Sequence, residues 1–109
     1  MLIVVSKYLV PSGFVGITIF PFVFLRNQKL KANTILLFHE RIHLRQQLEM
    51  LVIFFFIWYG IEFFIRFLIL KDRMKAYREI SFEKEAYENE RNLHYLEKRK
   101  WFSFLKYLK

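Results

Sequence analysis

The chain reads as an α+β domain, an N-terminal β-hairpin followed by about three helices, and three stretches of sequence predict it. Short β-branched runs punctuated by Pro11-Ser12-Gly13 come first. A helix-capping pair, Asn33-Thr34, then opens an apolar-rich stretch that continues to Leu70. A charged stretch with glutamates early and Lys98-Arg99-Lys100 late follows. At 109 residues there is material for one hydrophobic core, so residues 1–109 are expected to form a single domain. Its parts are a hairpin and loop (1–31), a motif-bearing helix and an apolar helix (32–70), and a charged helix with an aromatic and basic tail (71–109).

Residues 2–10 are apolar and rich in valine and isoleucine, and a second apolar run extends from Phe14 to Leu25. Two strands joined through Pro11-Ser12-Gly13 satisfy both runs. A signal peptide or anchor is the rival reading. No basic segment precedes the first run and no small-residue cleavage site follows it, while Pro21 interrupts any helix. Because proline cannot donate to a ladder, Pro21 predicts that the second strand lies at a sheet edge. The basic loop Arg26–Lys31 leads to Asn33-Thr34, which predicts a helix starting between Ala32 and Ile35.

That helix carries the most informative string in the chain, His39-Glu40-Arg41-Ile42-His43. Positions i and i+4 share a helix face, so His39 and His43 can present two imidazole nitrogens to one Zn²⁺ ion. Glu40, about 100° round the helix, can reach a metal-bound water as general base. The plainer reading makes the histidines half-buried helix residues and Glu40 a solvated charge. A catalytic zinc takes three protein ligands. The downstream candidates are Glu79, Glu83, Glu85, Glu88, Glu90, His94 and Glu97.

Met50–Leu70 contains two charges, Glu62 and Arg66, four apart and able to pair. Three readings stand for this segment: a bilayer-spanning helix, a helix lying in the membrane interface, or the buried centre of a helical core. Residues 76–100 are expected to form one charged helix whose charge distribution complements its dipole. In the tail, Trp101-Phe102-Ser103-Phe104 and the lysines beyond resemble an interfacial anchor, with packing against the body as the alternative.

A hairpin of long helices poses a geometric condition. If residues 33–70 ran straight and 76–100 folded back on them, His43 and Glu83 would stand roughly 25 Å apart at 1.5 Å per residue. A site using both therefore demands a bend between about Glu49 and Gly60, with Gly60 the candidate break. Without the bend, His94 or Glu97 comes nearer the two histidines.

The composition is 55% hydrophobic and 20% aromatic with three glycines and two prolines, more apolar than a small soluble interior requires. Part of that surface is expected to meet lipid or a partner. No cysteine is present, which excludes disulfides and thiolate metal sites and leaves His, Asp and Glu as ligands. The net charge of +8 arises from basic residues spread along the chain and mixed with acids beyond Lys71. That pattern suits an anionic membrane face, and without a recognition motif no nucleic-acid partner is expected.

Two segments together, His39-Glu40-Arg41-Ile42-His43-Leu44-Arg45-Gln46-Gln47 and Phe82-Glu83-Lys84-Glu85-Ala86-Tyr87, resemble the zincin-like metallopeptidase superfamily in its gluzincin pattern. The likeness is closest to small proteins with His-Glu-x-x-His-x-x-Gln and a later Glu-x-Glu-Ala-Tyr or -Asp segment, and it spans Gly16 to about Glu90. The resemblance implies a zincin-like minimal core, Glu83 as third ligand ahead of Glu85, and an edge strand that lies along a peptide substrate. Tyr87 stands where many relatives have Asp, removing a carboxylate that would hold a ligand histidine, and the chain is far shorter than a typical peptidase.

The sequence thus leads to a zinc-dependent, peptidase-like hydrolase, membrane-associated rather than cytoplasmic, with a peptide or protein substrate. His39, His43 and Glu83 are the expected ligands and Glu40 the base. Gln46 could orient a ligand or substrate, and Tyr77 and Tyr87 are packing residues with an oxyanion-stabilising role as the lesser alternative. The competing class is a non-enzymatic membrane-associated protein in which the histidine pair is incidental.

Overall fold

In the computed structural model, which describes residues 1–108, the N-terminal segments form a three-stranded sheet rather than the expected hairpin. Strands β1 (Leu2–Val5), β2 (Gly16–Ile19) and β3 (Phe22–Leu25) lie in the order β1-β3-β2. The apolar run Phe14–Leu25 folds back on itself at Phe20-Pro21, pairing β2 with β3 antiparallel in the register Gly16↔Leu25. β1 joins the other side of β3 in parallel, Leu2↔Phe22. Pro21 thus sits in the turn instead of inside an edge strand, where its missing N–H costs no ladder bond. The Pro11-Ser12-Gly13 segment belongs to the crossover, which Arg26 fastens by donating to Val10, Pro11 and Phe14 carbonyls at 2.6–2.9 Å.

Helix α1 (Thr34–Glu49) begins where the sequence predicts, with the Asn33 side chain accepting from the Leu36 N–H at 3.0 Å. Its inner face carries Phe38, His39, Ile42, His43, Gln46 and Gln47 against β2 and the later helices. The bend that the site demands comes immediately after α1, not at Gly60. Leu51 and Val52 both have positive φ, 55° and 56°. Val52 centres a γ-turn in which the Ile53 N–H donates to the Leu51 carbonyl. Gly60 lies within the unbroken helix α2 (Ile53–Leu70), where a Cβ would meet nothing within 4 Å.

The expected charged helix is three pieces, α3 (Arg73–Glu79), α4 (Ser81–Asn89) and α5 (Tyr95–Lys98), so that the described residues hold five α-helices in all. Asp72 caps α3 through the Met74 and Lys75 N–H groups. Between α3 and α4 the buried Ile80 is extended, with φ −63° and ψ 134°. There the Glu62 carboxylate reaches across from α2, accepting from the Ser81 N–H at 2.8 Å and from the Ser81 hydroxyl. An acid of another helix thereby caps α4. Glu62 and Arg66 are therefore not paired with each other: Arg66 donates to the Leu108 carbonyl.

Two apolar clusters flank the motif. Phe55, Ile80, Phe82 and Phe104 form one, and Phe38, Ile42 and Ala86 the other. The tail divides between its two expected roles, since Phe104 is buried with its ring 4.4 Å from that of Phe82, whereas Trp101 and Phe102 are exposed.

Candidate metal centre

Residues i and i+4 of α1 bring the Nε2 atoms of His39 and His43 to 3.2 Å of each other. α4, started by Glu62, turns Glu83 onto the same point. Its Oε1 lies 3.2 Å from His39 Nε2 and 3.0 Å from His43 Nε2. All three residues are buried, and they form a group that can hold a metal ion. The mutual spacing fits one: bonds of about 2.0–2.1 Å meeting at tetrahedral angles place donor atoms about 3.3 Å apart.

The outer partners of these side chains supply a second, independent fit. Gln46 Nε2 donates to the Phe82 carbonyl at 3.1 Å and to Glu85 Oε1 at 2.9 Å, which fixes the amide orientation. Gln46 Oε1 must then face His43 Nδ1, 2.7 Å away, and Nδ1 must carry the proton. His39 Nδ1 is held in the same way by Glu90 Oε2 at 2.7 Å. In its neutral form each imidazole therefore points its Nε2 lone pair at a carboxylate oxygen. Three lone-pair donors facing one point in this way suit a cation between them.

The electrostatics agree. Burial works against a charge on His43, but Glu83 beside it prevails and raises the imidazole to about 9. Burial likewise opposes the Glu83 charge, and the two histidines outweigh it, holding that carboxyl well below the usual range. Without a metal, the proton that His43 retains supplies the missing positive charge. The other oxygen of Glu83 accepts from the Tyr59 hydroxyl at 2.7 Å, and burial with this carboxylate keeps the phenol protonated far above its ordinary value.

Glu40 lies outside the ligand group, beside β2. Its carboxylate accepts from the Thr18 hydroxyl, and Gly16 lies beside it, where a Cβ would crowd the Leu25 side chain and the Phe24 carbonyl at 3.2 and 3.3 Å. Glu40, His43 and Glu83 share a largely apolar cavity of about 270 Å³ with Gly16, Thr18 and Tyr77. β2 is one of the sheet's two edge strands, whereas β3, the strand that directly precedes α1, is central, and part of the outer side of β2 is taken. The Gln47 amide donates to the Thr18 carbonyl and accepts from the Phe20 N–H, both at 2.7 Å.

The remaining candidates fall elsewhere. Glu85 is enclosed in an ion network with Arg99, which also binds Glu49. Through Gln46 it steadies His43 from behind without facing the centre. His94 and Glu97 pair with each other on the surface at 3.2 Å, with side chains more than 70% exposed. Tyr87 packs its ring 4.4 Å from that of His39, and the carboxylate it lacks comes from Glu90, one turn further on. Glu90 and Tyr59 are the functional residues that sequence reasoning missed or left unassigned. The spacing signals Glu90, seven residues after Glu83 and so on the same helix face; no local signal marks Tyr59. No family model, curated protein or solved structure matches the chain.

Proposed function

We propose that the protein is a zinc-dependent hydrolase of the peptidase type, acting on peptide or protein segments. The observation that carries the reading is the convergence of three buried lone-pair donors with a second acid, Glu40, in a cavity beside a strand edge. Two imidazoles and one carboxylate with no thiolate suit zinc, and three protein ligands are the number that leaves a position open for chemistry. An ion held there supplies Lewis-acid polarisation of a substrate carbonyl and a lowered pKa for water.

The chain's own groups supply the rest. His39, His43 and Glu83 hold the ion, while Gln46 and Glu90 keep both imidazoles in the ligating tautomer. Thr18 positions the Glu40 carboxylate at the cavity wall, from which it takes the proton of the attacking water and returns it to the departing amine. Tyr77, whose hydroxyl burial holds in its protonated form and which lies 3.1 Å from the Tyr87 hydroxyl, offers a further donor in the cavity lining. An extended substrate finds backbone partners along β2 only ahead of the groups that Gln47 has taken, which limits strand addition to the stretch near Gly16. The zincin-like resemblance of the two motifs supports the same assignment of Glu40 and Glu83.

Metal analysis and a mixture of quenched fluorescent peptides test this reading. The purified protein should carry one equivalent of zinc, lost in His39→Ala, His43→Ala and Glu83→Ala. Glu40→Gln should keep the zinc and lose hydrolysis by a factor of about 10² or more. Unchanged zinc in the histidine variants, or full activity in Glu40→Gln, overturns it.

A further inference from the structure

The polar side chains of α2 all point one way. Trp58 donates to Glu62, Tyr59 to Glu83 and Arg66 to Leu108, while Glu62 holds Ser81. The other half of the helix is apolar and exposed, with Ile53, Phe54, Ile57, Ile61, Phe64 and Leu68 each more than half accessible. No hydrogen-bonding side chain interrupts that face, and a monomeric soluble protein rarely exposes so continuous an apolar patch.

Charge brackets the face at both ends. Lys71 ends α2 and Lys75 follows, both exposed. At the opposite end the Phe102 N–H donates to Glu49, the last residue of α1, which brings exposed Lys98 and Lys100 to the start of α2. Phe102 itself borders a groove with Phe54, Ile57 and Ile61. An apolar strip about 27 Å long with lysines at either end matches a helix lying in the plane of an anionic membrane. Spanning fits poorly, because the inner half of α2 packs on α3, whose Arg73, Lys75 and Arg78 are exposed and would enter hydrocarbon.

We propose that the outer face of α2 docks in-plane on an anionic lipid bilayer, with Phe54, Ile57, Ile61 and Phe64 entering the acyl boundary and the terminal lysines contacting headgroups. Phe56, at the flank of this face and partly exposed, also lines the metal-site cavity. The cavity therefore lies beside the lipid contact, within reach of polypeptide emerging from a membrane. The docking itself does not depend on the hydrolase reading.

Flotation of the full chain with vesicles of equimolar phosphatidylcholine and phosphatidylglycerol, and of phosphatidylcholine alone, tests the surface. Strong partition to the anionic vesicles, weakened by salt, is expected. The double variant Ile57→Glu/Phe64→Glu should lower partition at least about tenfold while circular dichroism and zinc content stay unchanged. If that variant does not fold, Lys71→Glu/Lys75→Glu/Lys98→Glu/Lys100→Glu should abolish the preference for anionic vesicles. Equal partition of the variants and the parent overturns the proposal. So does attachment that survives alkaline extraction, which means spanning, or vesicle-independent dimerisation that Ile57→Glu/Phe64→Glu disrupts, which means a second copy covers the face.

Discussion

Replacing Glu90 by Gln or Ala alters the acceptor that sets the His39 tautomer while leaving all three ligating atoms in place. A hydrogen bond to a charged acceptor contributes about 1.5–3 kcal/mol and one to a neutral acceptor about 0.5–1.5 kcal/mol. Glu90→Gln therefore weakens the 2.7 Å contact to His39 Nδ1 by about 1 kcal/mol. That predicts a zinc affinity lower by about fivefold. Glu90→Ala removes the acceptor altogether, and loss of such an outer partner lowers metal affinity by about 10- to 100-fold. The Glu90 side chain is 18% exposed, so water can replace part of the lost contact and the effect belongs at about the tenfold end of that range. Competition titration against a chromophoric chelator measures all three proteins on one scale, with far-ultraviolet circular dichroism as the check on folding. The order wild type, Glu90→Gln, Glu90→Ala is the expected result. Affinities within about twofold of one another in folded proteins would falsify the tautomer argument, and with it the claim that two aligned lone pairs define the centre.

Three further outcomes follow from the same structure. Glu62→Ala removes the acceptor for the Ser81 N–H and for the Trp58 indole, and thermal unfolding should show a loss of about 1–3 kcal/mol together with weakened zinc binding, because α4 carries Glu83. Leu51→Gly relieves a left-handed backbone at a residue 70% exposed. Strain of about 1–2 kcal/mol less a glycine entropy cost of about 0.5–1 kcal/mol predicts a stability gain of about 0.5–1 kcal/mol, read from the urea midpoint. Zinc binding near pH 7.5 should release close to one proton, since metal-free His43 titrates at about 9, and calorimetry in buffers of different ionisation enthalpy reads it directly. The sign for the metal-free protein follows: the His43 contribution is full below its unfolded value of about 6.5 and is lost as pH rises through about 9, while that of Glu83 is lost as pH falls through the acid range.

The parts of this fold that were legible in the sequence are those governed by local chemistry. Asn33 announces a helix start because its side chain bonds its own neighbour, and His39 and His43 share a face because helical periodicity puts them there. Glu83 came into view through its motif neighbours. What stayed hidden depends on distant partners. The turn at Leu51-Val52 carries neither glycine nor proline and adopts positive φ under tertiary constraint, so Gly60 attracted the prediction instead. The break at Ile80 exists because Glu62, remote in sequence, caps Ser81. The strand pairing was misread for a related reason: Pro11-Ser12-Gly13 is a strong turn signal, but the β2–β3 turn at Phe20-Pro21 lies inside one apolar run. Tyr59 reaches Glu83 only because α2 packs across the site.

These hidden contacts share a consequence for how the centre is built. Arg99 holds Glu85, Glu85 holds Gln46, and Gln46 holds His43, while Arg99 also grips Glu49 at the end of α1. Each member is buried, so breaking any link leaves a polar group without water to replace its partner. The same chain that fixes the imidazole therefore ties the C-terminal segment to α1. On the far side, Glu62 starts α4 and Tyr59 holds Glu83, tying α2 into the centre. A cation between the three donors would thus sit where polar contacts join α1, α2, α4 and the C-terminal segment between the two apolar clusters. Binding there cannot be confined to the site: it stabilises the folded state as a whole, by RT ln(1 + [Zn]/Kd), and raises the unfolding temperature with zinc concentration.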